Sequence, residues 1–316
     1  MIKQLIKLLM FCIINLMFSN VNAQNDSWGY DIFQYCSGNH YFSSLSKLAK
    51  ANPDSVYCIE LWHETYLTQK DTISNYGVTD SFGVYILKDL PLYFYKFKNL
   101  RYLRLSGNAL SASENNAVFS AFKKLEVLDL EGDDLISLPI NFLKDSLRCI
   151  SLVGNPIEHL PNDISFPKNL MLLNLFATKI DVLPDSIFSL KNIRVLALGD
   201  GKNSIFDKRI LKFKELKRLK LGNCRIRKLP RGFKKLKLNT LDISGTRIHS
   251  IKNIDFTEMN KLYTTDFQIS SKQVKKIKKM NPAIMIYEDS GEYKATRIRK
   301  PFWKRNVKTI DLHKRQ

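Results

Sequence analysis

The chain has 316 residues, of which 44% are hydrophobic and 25% are charged, so a wholly disordered chain is excluded. Its formal net charge of +20 favours contact with anionic surfaces. Residues 208–316 contain 31 basic and 9 acidic residues, whereas residues 24–207 contain 17 basic and 21 acidic ones. The basic character therefore belongs to the last third of the chain.

The first 23 residues have the pattern of a secretory signal peptide. Lys3 and Lys7 precede an apolar run over Leu8–Phe18, and Val21 and Ala23 suit a cleavage site. The run is shorter than the roughly 20 apolar residues that span a bilayer, although an uncleaved anchor is the alternative. We therefore expect residues 1–23 to be removed on export. The mature chain, with no transmembrane segment, would then be periplasmic, cell-surface or extracellular.

Four cysteines follow this segment, at positions 36, 58, 149 and 224. Export permits disulfide bonds. Cys36 and Cys58 flank the start of the predicted folded region and are a candidate pair, with two free thiols as the alternative. The bond would stabilise the fold by about 3 kcal/mol in the chain-entropy model.

Residues 24–55 are predicted to form an amino-terminal cap. Apolar residues at helical spacing predict a helix over Tyr41–Ala49, and Asn52, Pro53 and Asp54 end it. Residues 56–287 follow as the main region, whose first strand is marked by Val56.

One pattern recurs from Leu100 onward at intervals of 22 to 25 residues: Leu-x-x-Leu-x-Leu-x-x-Asn-x-Leu. Further copies are predicted to begin at Leu125, Leu147, Leu170, Ile193, Leu216, Leu238 and Leu262. The Asn position is occupied in turn by Asn108, Asp133, Asn155, Thr178, Cys224, Thr246 and Ser270. A Leu-Pro step follows several copies, at Leu138-Pro139, Leu160-Pro161, Leu183-Pro184 and Leu229-Pro230.

This pattern resembles the leucine-rich-repeat family, in its class of about 23 residues per repeat. The resemblance implies an α/β solenoid shaped as a horseshoe, with a concave parallel β-sheet, short helical or irregular convex segments and an amino-terminal helical cap. Alternating apolar positions in each strand face one side, so stacked copies share one continuous core.

The ends of the repeat region are less regular. The long interval before Leu100 predicts either a degenerate copy or an insertion near Asp71–Asp80. A basic helix is predicted over Gln273–Lys279 and a last strand over Ile284–Tyr287. Residues 288–316 are expected to form a basic tail.

Motifs that carry catalysis are weak or missing. His63 and Glu64 begin a zinc-protease pattern, but Leu67 stands where its second histidine belongs. The sequence has no glycine-rich phosphate loop and no Gly-x-Ser-x-Gly elbow. We therefore predict no enzyme activity, no catalytic residue, no metal and no cofactor, with a degenerate hydrolase as a distant alternative.

Ligands of this family usually lie against the concave sheet, so the resemblance implies a protein-binding surface there. Apolar positions in its middle predict an exposed cluster, with Tyr102, Phe176 and Arg218 as anchors. Coverage of these residues by a neighbouring loop is the alternative. The predicted protein-binding residues are Tyr102, Arg104, Asp129, Val153, Leu172, Asn174, Phe176, Val195, Arg218, Lys220 and Asp242.

A second hypothesis rests on the basic end of the chain. An envelope-associated or adhesin-like protein would there contact an anionic membrane surface or polysaccharide. A solvated surface is the competing interpretation, and nucleic acid is not expected because no recognised nucleic-acid motif is present. The predicted polyanion-binding residues are Lys234, Lys235, Lys275, Lys276, Lys278 and Lys279.

Overall fold

The computed structural model describes residues 41–61, 77–79, 85–87, 90–108, 110, 116–138, 143–200, 206–265 and 268–289. The predicted signal peptide (1–23), Cys36 and the tail from residue 290 onward lie outside the described residues. All described residues belong to one compact unit, Tyr35–Gln316.

Short strands alternate with short helical segments along this unit. The strands are β1 (Tyr41–Phe42), β2 (Cys58–Glu60), β3 (Gly77–Thr79), β4 (Tyr85–Leu87), β5 (Tyr102–Arg104), β6 (Val127–Asp129), β7 (Cys149–Ser151), β8 (Leu172–Asn174), β9 (Val195–Ala197), β10 (Arg218–Lys220), β11 (Thr240–Asp242), β12 (Lys261–Thr265) and β13 (Met285–Asp289). The α-helices are α1 (Leu45–Lys50), α2 (Asn116–Phe119) and α3 (Ser271–Met280). Single 3-10 turns cover Pro53–Ser55, Leu92–Lys96, Asp185–Ser189, Lys208–Lys212 and Arg231–Lys235.

Eleven of these strands form one open sheet in which every neighbouring pair is parallel. Their order follows the chain, β1-β2-β5-β6-β7-β8-β9-β10-β11-β12-β13. One strand from each repeat thus pairs with the strand of the next repeat. The predicted α/β solenoid with a parallel sheet is confirmed.

The core lies on one side of this sheet. The central residues Leu103, Leu128 and Ile150 are aligned by the strand pairing and are completely buried. The 3-10 turns close the other side of the core with large apolar side chains, such as Phe94, which is also fully buried. The leucine spacing seen in the sequence therefore builds a single continuous core.

The interval before Leu100 is an insertion and not a degenerate copy, since β2 pairs directly with β5. Strands β3 and β4 lie within this interval and pair with each other in antiparallel fashion. The backbone N–H of buried Leu87 donates to Asn108 Oδ1 at 3.1 Å, which ties the insertion to the first full repeat.

The helices at the two ends of the sheet begin and end at residues other than those predicted. Helix α1 begins at Leu45, because Tyr41 and Phe42 extend the sheet by pairing with β2. At the other end Ser270 caps α3, and its hydroxyl accepts a hydrogen bond from Gln273 N while the Gln273 side chain accepts one from Ser270 N. This capping box sets the start of α3.

The prediction that Ser270 occupies the Asn position of the last repeat is wrong. Gln268 takes that role, since its Nε2 donates to the carbonyl of Ile243 at 2.9 Å and to the hydroxyl of Thr246 at 2.8 Å. The longer glutamine side chain reaches the carbonyls of the preceding repeat from a different position in the sequence.

The predicted frame of this same repeat is also wrong. Leu262 pairs with Leu241 and so occupies the central core position, not the first position of a new copy. Thr264 is therefore completely buried, whereas Tyr263 and Thr265 face away from the core. A shift of this kind changes which face each side chain occupies.

The Asn positions form a ladder of buried hydrogen bonds with one unsatisfied member. Asn155 Nδ2 donates to the carbonyls of Leu130 (2.6 Å) and Leu152 (3.0 Å), and its Oδ1 accepts from the N–H of Leu135. At the equivalent position Asp133 Oδ1 accepts from Asn108 N, but the fully buried Oδ2 has no hydrogen-bond partner. Burial raises the pKa of Asp133 well above its ordinary value.

We expect Asp133→Asn to stabilise the fold by about 1–3 kcal/mol at neutral pH, because an amide can donate where the bare oxygen is unpaired. The folded chain retains the Asp133 proton that the unfolded chain loses above about pH 4, so stability at this site falls as the pH rises. Urea unfolding should therefore show a large gain at pH 7 and little gain at pH 4. The reverse change, Asn155→Asp, is the matched control and should destabilise; stabilisation by both or by neither contradicts the interpretation.

Of the two cysteines of the predicted disulfide, only Cys58 lies among the described residues. Cys58 is buried and disulfide-bonded, while Cys149 and Cys224 are buried free thiols. We expect non-reducing peptide mass spectrometry to recover a Cys36–Cys58 peptide, and reduction to lower stability by about 3 kcal/mol. Recovery of Cys36 as a free thiol would contradict this pairing.

Candidate protein-binding face

The sheet surface opposite the core, here called the open face, carries three rows of side chains. The first row, in β2 and β5–β11, is Cys58, Tyr102, Val127, Cys149, Leu172, Val195, Arg218 and Thr240. The second row, two residues further along each strand, is Glu60, Arg104, Asp129, Ser151, Asn174, Ala197, Lys220 and Asp242. Backbone bonds continue past the strands and align a third row: Ser106, Glu131, Val153, Phe176, Gly199, Gly222 and Ser244.

The predicted exposure is wrong for three of the candidate binding residues. Tyr102, Leu172 and Asp242 are 3%, 8% and 6% exposed. Parallel strands lie about 4.8 Å apart, so side chains in one row pack against their neighbours and shield one another. Ala197, in the second row, is buried for the same reason. The first row is thus largely a second apolar layer.

Arg104 organises the amino-terminal part of the open face. Its Nη1 lies 3.1 Å from Glu60 Oε1, its Nε 3.2 Å from Asp129 Oδ2 and its Nη2 3.6 Å from Glu131 Oε2. The hydroxyl of Tyr41 donates to the other oxygen of Glu60 at 2.8 Å. These residues come from four neighbouring strands or their ends, so the cluster exists only when the sheet is formed.

The carboxyl groups of Asp129 and Glu131 in this cluster have raised pKa values. Burial, followed by the charge of Asp129, raises the pKa of Glu131 to about 7, while Arg104 and Lys220 oppose the shift. Burial also raises the pKa of Asp129, and Arg104 opposes it. Three acidic groups surround one guanidinium, so this part of the face carries excess negative charge that grows as Glu131 deprotonates near neutral pH.

Lys220 covers the aromatic residue in the middle of the face. Its ammonium lies 3.7 Å from the centroid of the Phe176 ring, a cation–π contact. Burial lowers the pKa of Lys220, and the carboxylates of Asp242, Asp200 and Glu131 oppose that shift. Phe176 is thus partly exposed beside a fixed positive charge.

A gap in the third row lies next to Phe176. Gly199 and Gly222 provide no side chains there, and Gly199 has a φ of 118°. A Cβ at Gly199 would lie 2.0 Å from the carbonyl oxygen of Gly222, so only glycine fits at this position. The third row therefore has no side chain at the two positions that follow Phe176.

Several residues of the face are not among the predicted binding residues. Glu60 and Glu131 belong to the Arg104 cluster, and Asp200 lies near Lys220. At the last strands the rings of Tyr263 and Tyr287 stack at 4.8 Å, with Tyr287 41% exposed. Extending the strand alternation by one repeat toward the amino terminus would have found Glu60, whereas Tyr263 was missed because the predicted frame of its repeat was wrong.

The predicted polyanion-binding lysines lie on two separate elements. Lys234 and Lys235 end the 3-10 turn Arg231–Lys235, and the other four lie on α3. All are exposed. The Lys278 ammonium donates to the carbonyl of Ile284, so it also ties α3 to the segment that leads into β13. Polyanion binding at these positions stays a prediction.

Neither metal binding nor membrane insertion is evident in the part of the chain that the structure describes. No group of three or more His, Cys, Asp or Glu side chains there is arranged to hold a metal ion. No described helix has the length and apolarity needed to cross a bilayer.

Comparison with solved structures identifies the fold as that of leucine-rich-repeat proteins. A leucine-rich-repeat protein of Leptospira interrogans is 21% identical over 64% of this chain and 64% of its own, with a TM-score of 0.48. Internalin C2 of Listeria monocytogenes is 19% identical over 66% of this chain and 86% of its own, with a TM-score of 0.50.

The leucine-rich-repeat domain of the type III effector XopL is 20% identical over 65% of this chain and 74% of its own, with a TM-score of 0.49. No protein-family model matches the sequence, and no curated protein matches it either. The chain matches less than two thirds of the length of the Leptospira protein. The likeness therefore concerns the fold alone.

We expect Arg104→Gln to destabilise the protein by about 2 kcal/mol at pH 8, because three carboxylates lose their shared cation. The loss should be smaller at pH 5, where Glu131 is protonated. Urea unfolding at both pH values measures this. Arg148→Gln is the control: Arg148 is 49% exposed at 3.6 Å from Glu126, so its loss should cost no more than about 1 kcal/mol. Equal, pH-independent effects would contradict the expected role of Arg104.

Proposed function

We propose that this protein is an exported, non-enzymatic interaction protein that binds a protein partner on the open face of its sheet. The observation that carries the proposal is the arrangement of charge around an apolar centre on that face. Export is inferred from the signal-peptide pattern of the first 23 residues.

The centre of the face supports binding through partly exposed apolar side chains. Val153, Phe176 and Val195 come from adjacent repeats and are each only partly buried. Interfaces commonly combine an apolar centre with a polar rim, and a few aromatic or arginine residues supply most of the affinity. Here Phe176 and Arg218 are the expected anchors.

Charged groups on either side of this centre would orient the partner. The Arg104 cluster presents excess negative charge on the amino-terminal side, and Arg218 and Lys220 lie on the other side. Complementary charge mainly sets specificity and association rate. A partner is therefore expected to place basic groups near Glu131 and acidic groups near Arg218.

The side chains of Arg104 and Asp129 are held before any partner arrives. Their side chains are 17% and 15% exposed and form part of one ion-pair network. Side chains that are already ordered lose little entropy on binding. These pre-ordered side chains therefore support binding of a partner on the open face.

Capture of partners by the full-length chain tests this proposal. The immobilised protein would be exposed to an extracellular and envelope protein extract, and retained proteins quantified by mass spectrometry. Phe176→Asp should abolish retention of the specific partner, because removing a central anchor typically costs about 2 kcal/mol or more.

Ile136→Asp is the matched control, since Ile136 is 75% exposed and lies outside the three rows. The proposal predicts a protein retained by the native chain and by Ile136→Asp but lost with Phe176→Asp. Retention that Phe176→Asp leaves unchanged, or that both variants reduce equally, would overturn it.

A further inference from the structure

A regular line of lysines runs along the edge where the chain enters each strand. Lys98, Lys123, Lys168, Lys191 and Lys214 each lie two residues before the first core residue of a repeat, and all five are exposed. The core residues that follow them are buried: Leu100, Leu125, Leu170, Ile193 and Leu216. We call these five lysines the lysine edge. It belongs neither to the open face nor to the basic residues of α3.

Hydrogen bonds between repeats show that these turns lie side by side. Lys124 Nζ donates to Asn99 Oδ1 at 2.8 Å, and Asn192 Nδ2 donates to the carbonyl of Lys168 at 3.1 Å. The Ser146 hydroxyl likewise donates to the carbonyl of Leu125. Successive turns are therefore stacked at about the strand spacing of 4.8 Å. The lysine edge is consequently a line of positive charge fixed by the backbone of the sheet.

The charge along this line is poorly compensated. No member of the lysine edge has an ion pair among the described residues, whereas Lys237 in the next repeat pairs with Asp255 at 2.6 Å. Only Asp145 and Glu215 are acidic in the same turns. In the repeat that begins at Leu147, Asp145 occupies the edge position, and the half-buried Lys144 lies beside it. The pKa of Lys144 is lowered first by burial and then by the charge of Lys123.

A second row of cations runs beside the first. Arg101, Arg148, Arg194 and Lys217 each follow the first core residue of their repeat, and Arg148 and Arg194 are exposed. Glu126 is the acidic member of this row, and it pairs with both Arg101 (2.5 Å) and Arg148 (3.6 Å). The edge as a whole therefore remains strongly positive.

The shape and chemistry of this edge select a linear ligand with evenly spaced anions. Each strand of duplex DNA carries one phosphate per about 3.4 Å of helix axis and winds around that axis, so its charges do not follow a straight line of repeats, and unpaired nucleic acid is usually held by stacking aromatic side chains. The aromatic residues that directly precede three of these lysines, Phe97, Phe122 and Phe213, are buried in the core and cannot stack on a base. A polysaccharide that carries a carboxylate or sulfate on each sugar unit presents its charges at an interval comparable to the strand spacing.

We infer that the lysine edge binds an anionic polysaccharide that lies across the repeats. Each lysine contributes a weak, flexible contact, so affinity arises from several contacts made together. Binding is therefore steeply salt-dependent and grows with the length of the saccharide until all the repeats are covered. This activity is independent of protein binding on the open face.

The test uses the full-length chain and polygalacturonate, an unbranched polymer of uronic acid. One variant changes the five residues of the lysine edge to glutamine. The matched variant changes to glutamine five exposed lysines of the competing polyanion site predicted from the sequence, so that both variants lose the same charge and the two candidate sites are compared directly: Lys234, Lys235, Lys275, Lys276 and Lys279. Affinity would be measured from low salt to physiological salt, with neutral dextran, anionic phospholipid vesicles and duplex DNA as the other probes.

We expect the edge variant to lose at least about tenfold in affinity for polygalacturonate and to show a shallower salt dependence, since released counterions scale with the contacts made. The matched variant should stay within about threefold of the native chain, because its lysines lie outside the contact. Equal losses in both variants, a larger loss in the matched variant, or no binding by the native chain would overturn the inference. So would stronger binding to vesicles or DNA that depends on the same five lysines.

All five changed side chains are exposed, so the edge variant is expected to fold, and its urea midpoint would confirm this. If five changes together prevent folding, the double variant Lys168→Gln and Lys191→Gln provides the same comparison against Lys275→Gln and Lys276→Gln. Preserved polygalacturonate affinity in the edge double variant would also count against the inference.

Discussion

The parallel pairing of one short strand with the next is the constraint on which the rest of the protein depends. Most strands of the main sheet are only three residues long and make few hydrogen bonds each, so no repeat is stable by itself. Pairing places equivalent residues about 4.8 Å apart in every repeat. Each position in the repeat thereby becomes a continuous row across the sheet, and the residues that occupy that position decide the chemical character of the row.

This row geometry explains both the continuous core of the fold and its one buried oxygen without a partner among the Asn positions. Apolar rows stack into a core in which Leu103, Leu128 and Ile150 are completely buried. The row of Asn positions needs side chains that both donate and accept hydrogen bonds. The Asn155 amide does both, and it bonds three different backbone groups. Asp133 lacks the donor, and its Oδ2 is therefore buried without a partner. A carboxyl oxygen in place of an amide nitrogen is therefore enough to leave one buried position of the ladder without a hydrogen bond.

The same geometry separates two surfaces with different binding chemistry. On the open face, acidic and basic groups from neighbouring strands are drawn into fixed contacts around Arg104 and Lys220, which suits recognition of a folded partner. At the lysine edge the cations lie outside the strands and keep their solvent exposure. Flexible charges of this kind suit a long, repetitive ligand. A protein with both surfaces would be able to hold a polysaccharide and a protein at the same time.

The sequence by itself determined the solenoid, the positions of β5 to β11 and most of the core, because leucines at fixed intervals have only one arrangement that buries them together. It failed at Leu262, where the copy is irregular and alternation alone allows two frames. Only the tertiary structure decided that Tyr102 and Leu172 are buried and that Arg104 gathers Glu60, Asp129 and Glu131. This cluster gathers residues that span 71 positions of the sequence, from Glu60 to Glu131, and the distances between them are set by strand pairing, which no local pattern records.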